Sequence, residues 1–319
     1  MQRRDFVRAA GALAAVPWLA HAQSFPSRPV TLMVPYAAGG NADLTARLFA
    51  DALTRTLGQA AVVDNRGGGG GAIGVNHVIA SRPDGYTLLF SAPGVFSVTP
   101  HLVKVSYTLA DMKPVCLITK TPLVLVVKKG SRYASLADLI RAAKATPGGI
   151  AMGYSGLGTP NHLALLNLEA AGKVNFNPIA YKGSGPMLQD MLAGQIEAGT
   201  DQYSTSRPYI ESGDLIPLAV FGAPLPSLSG VPSVSTLGKE PFDVTTYLGI
   251  AAPKKPPDAV VSALQKATRA ALADERFVAG IDKLGSTVQW GSGADYDRVM
   301  RAENDFVRQM VESGRMKSA

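Results

Sequence analysis

The sequence predicts an α/β protein of two lobes. Three observations carry that reading. The chain has 319 residues, enough for about two domains of roughly 150 residues. Short β-branched apolar runs alternate with stretches of helical spacing, in two separate series. Glycine and proline are abundant, at 33 and 22 residues, and they fall between those runs as turns.

The first series begins at Val30–Val34, a continuous apolar run of the kind buried on both faces of a parallel sheet. Pro35 ends it, and residues 36–40 form a glycine turn. Residues 42–57 show helical spacing at Leu44, Leu48 and Ala52, with Gly58 as the stop. A strand at 60–64, the glycine loop 67–71, a helix at 73–81, the turn at 82–85 and a strand at 87–90 follow. This β-α-β-α-β order predicts parallel strands with right-handed crossovers. Two apolar runs, 115–118 and 123–127, lie close together, and a helix at 135–145 stops at Thr146-Pro147-Gly148.

The second series starts at Ile150. Strands are expected at 150–154, 179–181, 196–200 and 215–220, with helices at 160–171 and 186–192. Residues 224–234 read as a Pro/Ser-rich surface loop. Residues 247–252 are apolar, and amphipathic helices are expected at 259–272 and 295–311.

Residues 1–22 stand apart. A basic head with Arg3 and Arg4 precedes an apolar run from Ala9 to Ala20, too short for a bilayer span of about 20 residues. Ala20-His21-Ala22 completes an export leader cleaved after Ala22. The spacing of Arg3, Arg4 and Phe6 resembles a twin-arginine signal; an ordinary secretory signal is the alternative. The expected location is the periplasm. Removing the leader lowers the formal charge from +7 to +5, and the basic residues are scattered. That argues against nucleic acid and leaves small anions open. Hydrophobic residues make up 46% and charged residues 17%, which excludes a disordered chain. The lone Cys116 fits burial as a small hydrophobe.

Three loops share one design, each leaving a strand, carrying glycine and opening a helix: Ala38-Gly39-Gly40-Asn41-Ala42-Asp43, Ser155-Gly156-Leu157-Gly158-Thr159-Pro160 and Gly183-Ser184-Gly185-Pro186. Thr159 is placed as an N-cap before Pro160, and Ser184 or Gly185 before Pro186. Glycine admits a ligand to the backbone, and helix N-termini offer unpaired N–H groups, so these loops form a candidate anion site. Asp43 serves the helix start or touches ligand. His162 packs or binds. Lys182 is a surface charge or faces the cleft. Asp201 caps or lines the cleft.

Two other patterns carry less weight. Gly69-x-Gly71-x-x-Gly74 matches a dinucleotide fingerprint, but inside a run of glycines and without the acidic residue expected about 20 positions on. Gly153-Tyr154-Ser155-Gly156-Leu157 misses the G-x-S-x-G elbow by its last glycine, and His162 follows Ser155 too soon for that family's order. No histidine spacing suggests a metal, and no cofactor is expected.

The stretches at 26–30, 34–43, 63–66, 83–88, 158–163, 181–183, 194–196 and 251–253, in this order, resemble the extracytoplasmic solute receptors of tripartite tricarboxylate transporters, the Bug proteins. The resemblance covers nearly the whole chain after the leader. It implies a type II periplasmic-binding-protein fold with two crossover strands, lobe one being residues 24–122 with 222–319 and lobe two 123–221. It implies a non-enzymatic receptor that closes on a carboxylated small molecule and delivers it to membrane permease subunits, and a monomer is expected. The carried-over site comprises Tyr36, Ala38, Gly39, Gly40, Asn41, Asp43, Ser155, Gly158, Thr159 and His162, with Ser91 and Asp201 as further lining residues. A periplasmic sensor for a signalling partner is the alternative, and an exported hydrolase acting through Ser155 the more distant one. Three positions depart from the family: Ala38 for proline, Tyr154 for a small serine, Tyr247 for tryptophan. Tyr154 and Tyr36 together suggest an aromatic acid.

Overall fold

The computed structural model describes residues 25–238, 244–312 and 314; the expected leader and cleavage site lie outside them. The strands divide into two mixed sheets. The first takes β1 (Val30–Val34), β2 (Ala61–Asn65), β3 (Thr87–Ser91), β4 (Met112–Thr121), β10 (Thr246–Pro253) and β11 (Thr287–Ser292), in the order β11-β4-β10-β3-β1-β2. The second takes β5 (Leu123–Lys128), β6 (Ala151–Tyr154), β7 (Asn177–Ala180), β8 (Ala198–Gln202) and β9 (Leu215–Val220), in the order β7-β6-β8-β5-β9. The chain adopts the two-lobed type II periplasmic-binding-protein fold.

The β-α-β series gives the parallel part of each sheet: β1 pairs parallel with β2 and β3, and β6 with β7 and β8. The remaining pairs are antiparallel. β10 lies between β3 and β4, and β5 between β8 and β9. The two neighbouring apolar runs are β4 and β5, and only Pro122 separates them. Proline cannot continue the ladder, so it marks the step from one sheet to the other. Gly249 in β10 sits at a register shift; a Cβ there would lie 2.4 Å from the Cys116 carbonyl oxygen.

β1 is buried on both faces, as its unbroken apolar run requires: Val30, Leu32 and Val34 enter one core cluster and Met33 another. Helix α1 (Asn41–Leu57) buries Ala46, Phe49 and Leu53 on the first of these, and Gly58 ends it in the left-handed region at φ 68°. Helix α2 (Ala72–Ile79) packs on β3. After β3 come two short turns, α3 (Gly94–Ser97) and α4 (Thr99–Leu102). Lobe two carries α5 (Leu136–Ala145), α6 (Pro160–Gly172), α7 (Ser184–Ala193) and α8 (Tyr203–Glu211); the chain then returns through α9 (Asp258–Leu272), α10 (Glu275–Lys283) and α11 (Gly293–Glu312).

The last helix ties the lobes. Tyr296 and Met300 pack in a lobe-one cluster, while Val307 and Met310 join the cluster containing Leu163, Leu168 and Val127. Among the described residues, no helix is long and apolar enough to cross a membrane.

Candidate functional site

Every loop of the proposed anion site ends at one cavity between the lobes. Tyr36, Gly40, Asn41, Ala92, Thr246 and Leu248 line it from lobe one, and Ser155, Thr159, Gly183, Ser184 and Gln202 from lobe two. The empty space there, part of it open to solvent, is about 380 Å³.

The lobes touch around it. Ala37 N–H donates to the Lys182 carbonyl at 3.3 Å. Ser204 Oγ donates to Asn41 Oδ1 at 2.8 Å. Glycines bring the backbones together: a Cβ at Gly94 would lie 2.4 Å from the Gly158 carbonyl oxygen, and one at Gly158 2.4 Å from Thr99 Oγ1. Gly158 also holds φ at 74°.

Helix starts supply the cavity's donors. α1 follows Gly40 and α7 follows Gly183, neither with a side-chain cap. α8 follows Gln202, which also gives no cap, but its first N–H, that of Tyr203, already donates to the Pro122 carbonyl at 2.9 Å, and only Gln202 itself lines the cavity. In α1 the first intrahelical bond runs from Leu44 N–H to Gly40 O at 3.0 Å, so the N–H groups of Asn41, Ala42 and Asp43 lie before the ladder begins. α7 starts at Ser184, two residues ahead of the expected Pro186, because the Ser184 hydroxyl bonds Asp201 instead of capping. α6 differs. Thr159 accepts from His162 N–H at 3.4 Å, and Pro160 at the first position has no N–H to satisfy. Three lining residues carry buried polar atoms without a protein partner: Tyr36 Oη, Asn41 Nδ2 and Thr246 Oγ1. A buried polar group left unpaired costs about 1–3 kcal/mol, so these atoms favour a polar occupant.

The remaining expected residues stand behind or beside the wall. Ala38 and Gly39 are exposed on the loop's outer side. Asp43 accepts from Gly39 N–H at 2.9 Å and pairs with Arg47 at 2.9 Å, which shapes the loop and balances the carboxylate's charge beside the cavity. Ser91 is fully buried and donates to the Ala92 carbonyl at 3.0 Å; Ala92 is what lines the cavity. Asp201 is fully buried under the α7 and α8 starts. It accepts from Ser184, Thr205 at 2.6 Å, Ser206 at 2.7 Å and Asn161 at 3.2 Å. Burial pushes its carboxyl upward, and the three hydroxyls oppose that push.

His162 is buried, with Gly158 N–H pointing at Nδ1 from 3.4 Å and its ring stacked on Tyr154 at 4.7 Å. Burial depresses it from 6.5 to about 4, so it is neutral at ordinary pH. This stack also accounts for Tyr154, which belongs to the lobe-two core rather than to the cavity wall. The aromatic-acid expectation therefore loses one of its two residues. Along β10, Thr246 and Leu248 reach the cavity while the intervening Tyr247 does not, as the strand's two-residue alternation dictates. Ser155, His162 and Asp201 have separate partners: Ser155 Oγ donates to Thr159 Oγ1 at 3.3 Å, and neither His162 nor Asp201 bonds it. They form no relay.

Gln202, Thr246, Leu248 and Ala92 were missed by sequence reasoning. Gln202 ends a strand in front of a helix, which was a usable signal. The other three lie in apolar strand contexts that carry none.

Against known families, residues 45–314 match the model described as "Tripartite tricarboxylate transporter family receptor". Protein BugT of Bordetella pertussis is 34% identical over 292 residues, covering 88% of this chain and 86% of that one. Two solved structures of Rhodopseudomonas palustris proteins superpose closely. Rpa4515 with adipate gives a TM-score of 0.84 at 31% identity, covering 90% of this chain and 97% of that one. MatC with bound malate gives 0.84 at 26% identity, covering 90% and 100%. A family match over most of the chain, a relative above 30% identity and this shared fold lead to one conclusion: the chain belongs to the tripartite tricarboxylate transporter receptor family.

Proposed function

We propose that this receptor captures a carboxylated small molecule between its lobes and presents it to the permease subunits of a tripartite transporter. The chain is a periplasmic solute receptor, not an enzyme, as its family membership establishes. The observation that carries the finer reading is the convergence of the uncapped helix starts at Gly40 and Gly183 on one cavity that no charged residue lines. A hydrogen bond to a charged group contributes about 1.5–3 kcal/mol, so three or four give roughly 6–10 kcal/mol before ordering costs. Micromolar binding needs about 8 kcal/mol. Adipate and malate in the two neighbours are carboxylates of suitable size.

In this reading residues 24–122 with 222–319 and residues 123–221 move as bodies, and the carboxylate holds them together by bonding helix starts of both. Only a difference in affinity between the open and closed forms shifts that equilibrium. The leader would direct the chain to the periplasm and be removed after Ala22.

A thermal-shift screen of the chain from Gln23 tests the proposal, with carboxylates beside their amides. At a thousandfold the dissociation constant a ligand stabilises by about 4 kcal/mol, or several degrees at roughly 2–4 °C per kcal/mol. At least one acid should shift the transition while its amide does not. The same screen is repeated after refolding from denaturant, which removes any co-purified ligand. Silence in both rounds, or equal shifts by acid and amide, sinks the carboxylate reading.

A further inference from the structure

α11 passes from one lobe to the other, and Glu303 sits at the crossing. Met300 before it packs in a lobe-one cluster with Tyr296, and Val307 after it in the cluster with Leu163 and Val127. The segment 94–102 makes the same crossing: Val95 and Phe96 join the first cluster, Val98 and Leu102 the second. We propose that closing of the lobes is proton-linked through Glu303, which takes up a proton from solvent as the cleft shuts and releases it as the cleft opens. The inference rests on the lobe movement proposed above and not on which solute is bound.

The geometry puts the carboxyl under the contact by which the lobes meet. Ser97 Oγ donates to Glu303 Oε2 at 2.6 Å, and His101 Nε2 and Asn304 Oδ1 lie 2.8 Å apart, so two bonds tie the segment to α11. The same segment carries the seam. Gly158 of lobe two packs on Gly94 and Thr99, and Thr99 Oγ1 donates to the Gly70 carbonyl at 3.0 Å. A change in how 94–102 lies on α11 is therefore a change in the seam.

The surroundings favour the neutral acid. The arginines along α11 are committed to its own carboxylates, Arg298 to Asp295, Arg301 to Asp297 and Arg308 to Asp305. Four elements pack on α11 here. α3 brings Ser97, and α4 brings His101, held by Asn304. β4 brings buried Cys116, while its Lys113 and Lys120 are exposed, and β11 carries no titratable residue. The phenols of Tyr36 and Tyr296 lie within electrostatic reach, and Tyr36 lines the solute cavity. Burial raises the Glu303 carboxyl from 4.5 to about 7, and the Ser97 hydroxyl opposes that rise. With the lobes parted, water reaches the group and its ordinary value returns. Between 4.5 and about 7 the closed form then holds a proton that the open form lacks, so closing gains as pH falls. From about pH 8 to pH 6 the closed-to-open ratio rises about tenfold.

Infrared titration of ligand-free chains held in each form tests this. A Cβ at Gly183 would lie 3.4 Å from the Ala37 Cβ, close to the spacing of a disulfide. Ala37→Cys with Gly183→Cys, oxidised, therefore holds the lobes together, and Gly158→Val holds them apart. The band of the protonated Glu303 carboxyl is identified by its loss in Glu303→Gln or its shift in Ser97→Ala. It should titrate at about 7 in the crosslinked chain, and lower by about one to two pH units in Gly158→Val. Ser97→Ala in the crosslinked chain should move it further up, because the donor that favours the anion is gone. Equal midpoints in the closed and open chains, or an ordinary carboxylate value in the crosslinked one, overturn the proton linkage while the receptor reading stands. A crosslink that does not form, or a Gly158→Val chain that scatters as the closed one does, shows that the lobes do not move through this seam and overturns the linkage together with the movement.

Discussion

α1 and α6 enter the same cavity from opposite lobes, and each follows a glycine-bearing loop, yet they begin differently. α6 satisfies its own first turn: Thr159 bonds the His162 N–H, and Pro160 has no N–H to satisfy. α1 begins at Gly40 with no side-chain cap and leaves the N–H groups of Asn41, Ala42 and Asp43 ahead of its ladder. A capped start is complete without a ligand and holds shape. An uncapped start keeps its donors and its partial positive charge for an occupant. The α6 loop instead forms the seam, since its Gly158 is where lobe two meets Thr99 and Gly94.

That division of labour predicts the largest effect at the seam. Gly158→Val places a branched side chain at φ 74° and against Thr99, so the lobes cannot meet as they do here. Affinity for any ligand that bridges both lobes should fall by more than about a hundredfold, equal to roughly 2.7 kcal/mol. Small-angle scattering should show the variant open with ligand present; a compact, ligand-competent variant would mean that closure does not use this contact. The next effect comes from giving α1 the cap it lacks. Gly40 has ordinary φ and ψ of −85° and 171°, and a Cβ there meets nothing nearer than 3.8 Å. Gly40→Asp should therefore fold, gain about 0.5 kcal/mol from its N-cap carboxylate, and occupy the donors that a ligand needs. Losing one or two charge-assisted bonds weakens binding about ten- to a hundredfold. A variant that is more stable and still binds normally would show that the ligand does not use α1.

The sequence makes the three loops legible because their signals are local. Glycine, Thr159 before Pro160, and strand ends in front of helical spacing identify helix starts without tertiary knowledge. The roles of the polar residues around them depend on neighbours far along the chain. Asp201 reads as a cap or as a cleft carboxylate, and only the long-range bonds from Ser184, Thr205 and Ser206 show what surrounds it. His162 reads as packing or as binding, and the stack on Tyr154 is invisible before the fold is known. The fold divides in the same way. The long amphipathic helices and buried strands follow from periodicity. α8 was missed because Pro208 interrupts it and its buried Ser204, Thr205 and Ser206 serve hydrogen bonds rather than a core. The antiparallel strands β5 and β10 give the same apolar signal as parallel ones, so direction could be had only from the sheets.

The stacked histidine also separates scaffold from site through pH. In the fold His162 is depressed from 6.5 to about 4. Between those values the unfolded chain takes up a proton that the folded chain resists, so stability falls as pH drops through this window. Glu303, buried on α11 with Ser97 Oγ donating to it at 2.6 Å, is raised from 4.5 to about 7. There the folded chain protonates first, and stability rises as pH drops from 7 towards 4.5. The two groups oppose each other where the windows overlap. Moving from neutrality to about pH 5, His162→Gln should remove a loss of about 2 kcal/mol, and Glu303→Gln should remove a gain of similar size. Denaturant midpoints across that range read both slopes. A His162→Gln chain with the wild-type profile would mean that the histidine is not held neutral by its burial.

The smallest effect is the reciprocal of the Gly40 change. Thr159→Ala takes away the N-cap of α6 and the hydroxyl that donates to the Gly156 carbonyl at 2.7 Å. Loss of an N-cap costs about 1 kcal/mol, so the transition should drop by a few degrees. Binding should weaken less than about tenfold, because the His162 N–H it frees lies at the third helical position, behind Pro160. The ratio of the two losses decides the comparison. If Thr159→Ala lowers affinity more than Gly40→Asp does, the threonine hydroxyl itself holds the ligand, and the capped helix rather than the uncapped one is the principal anion site.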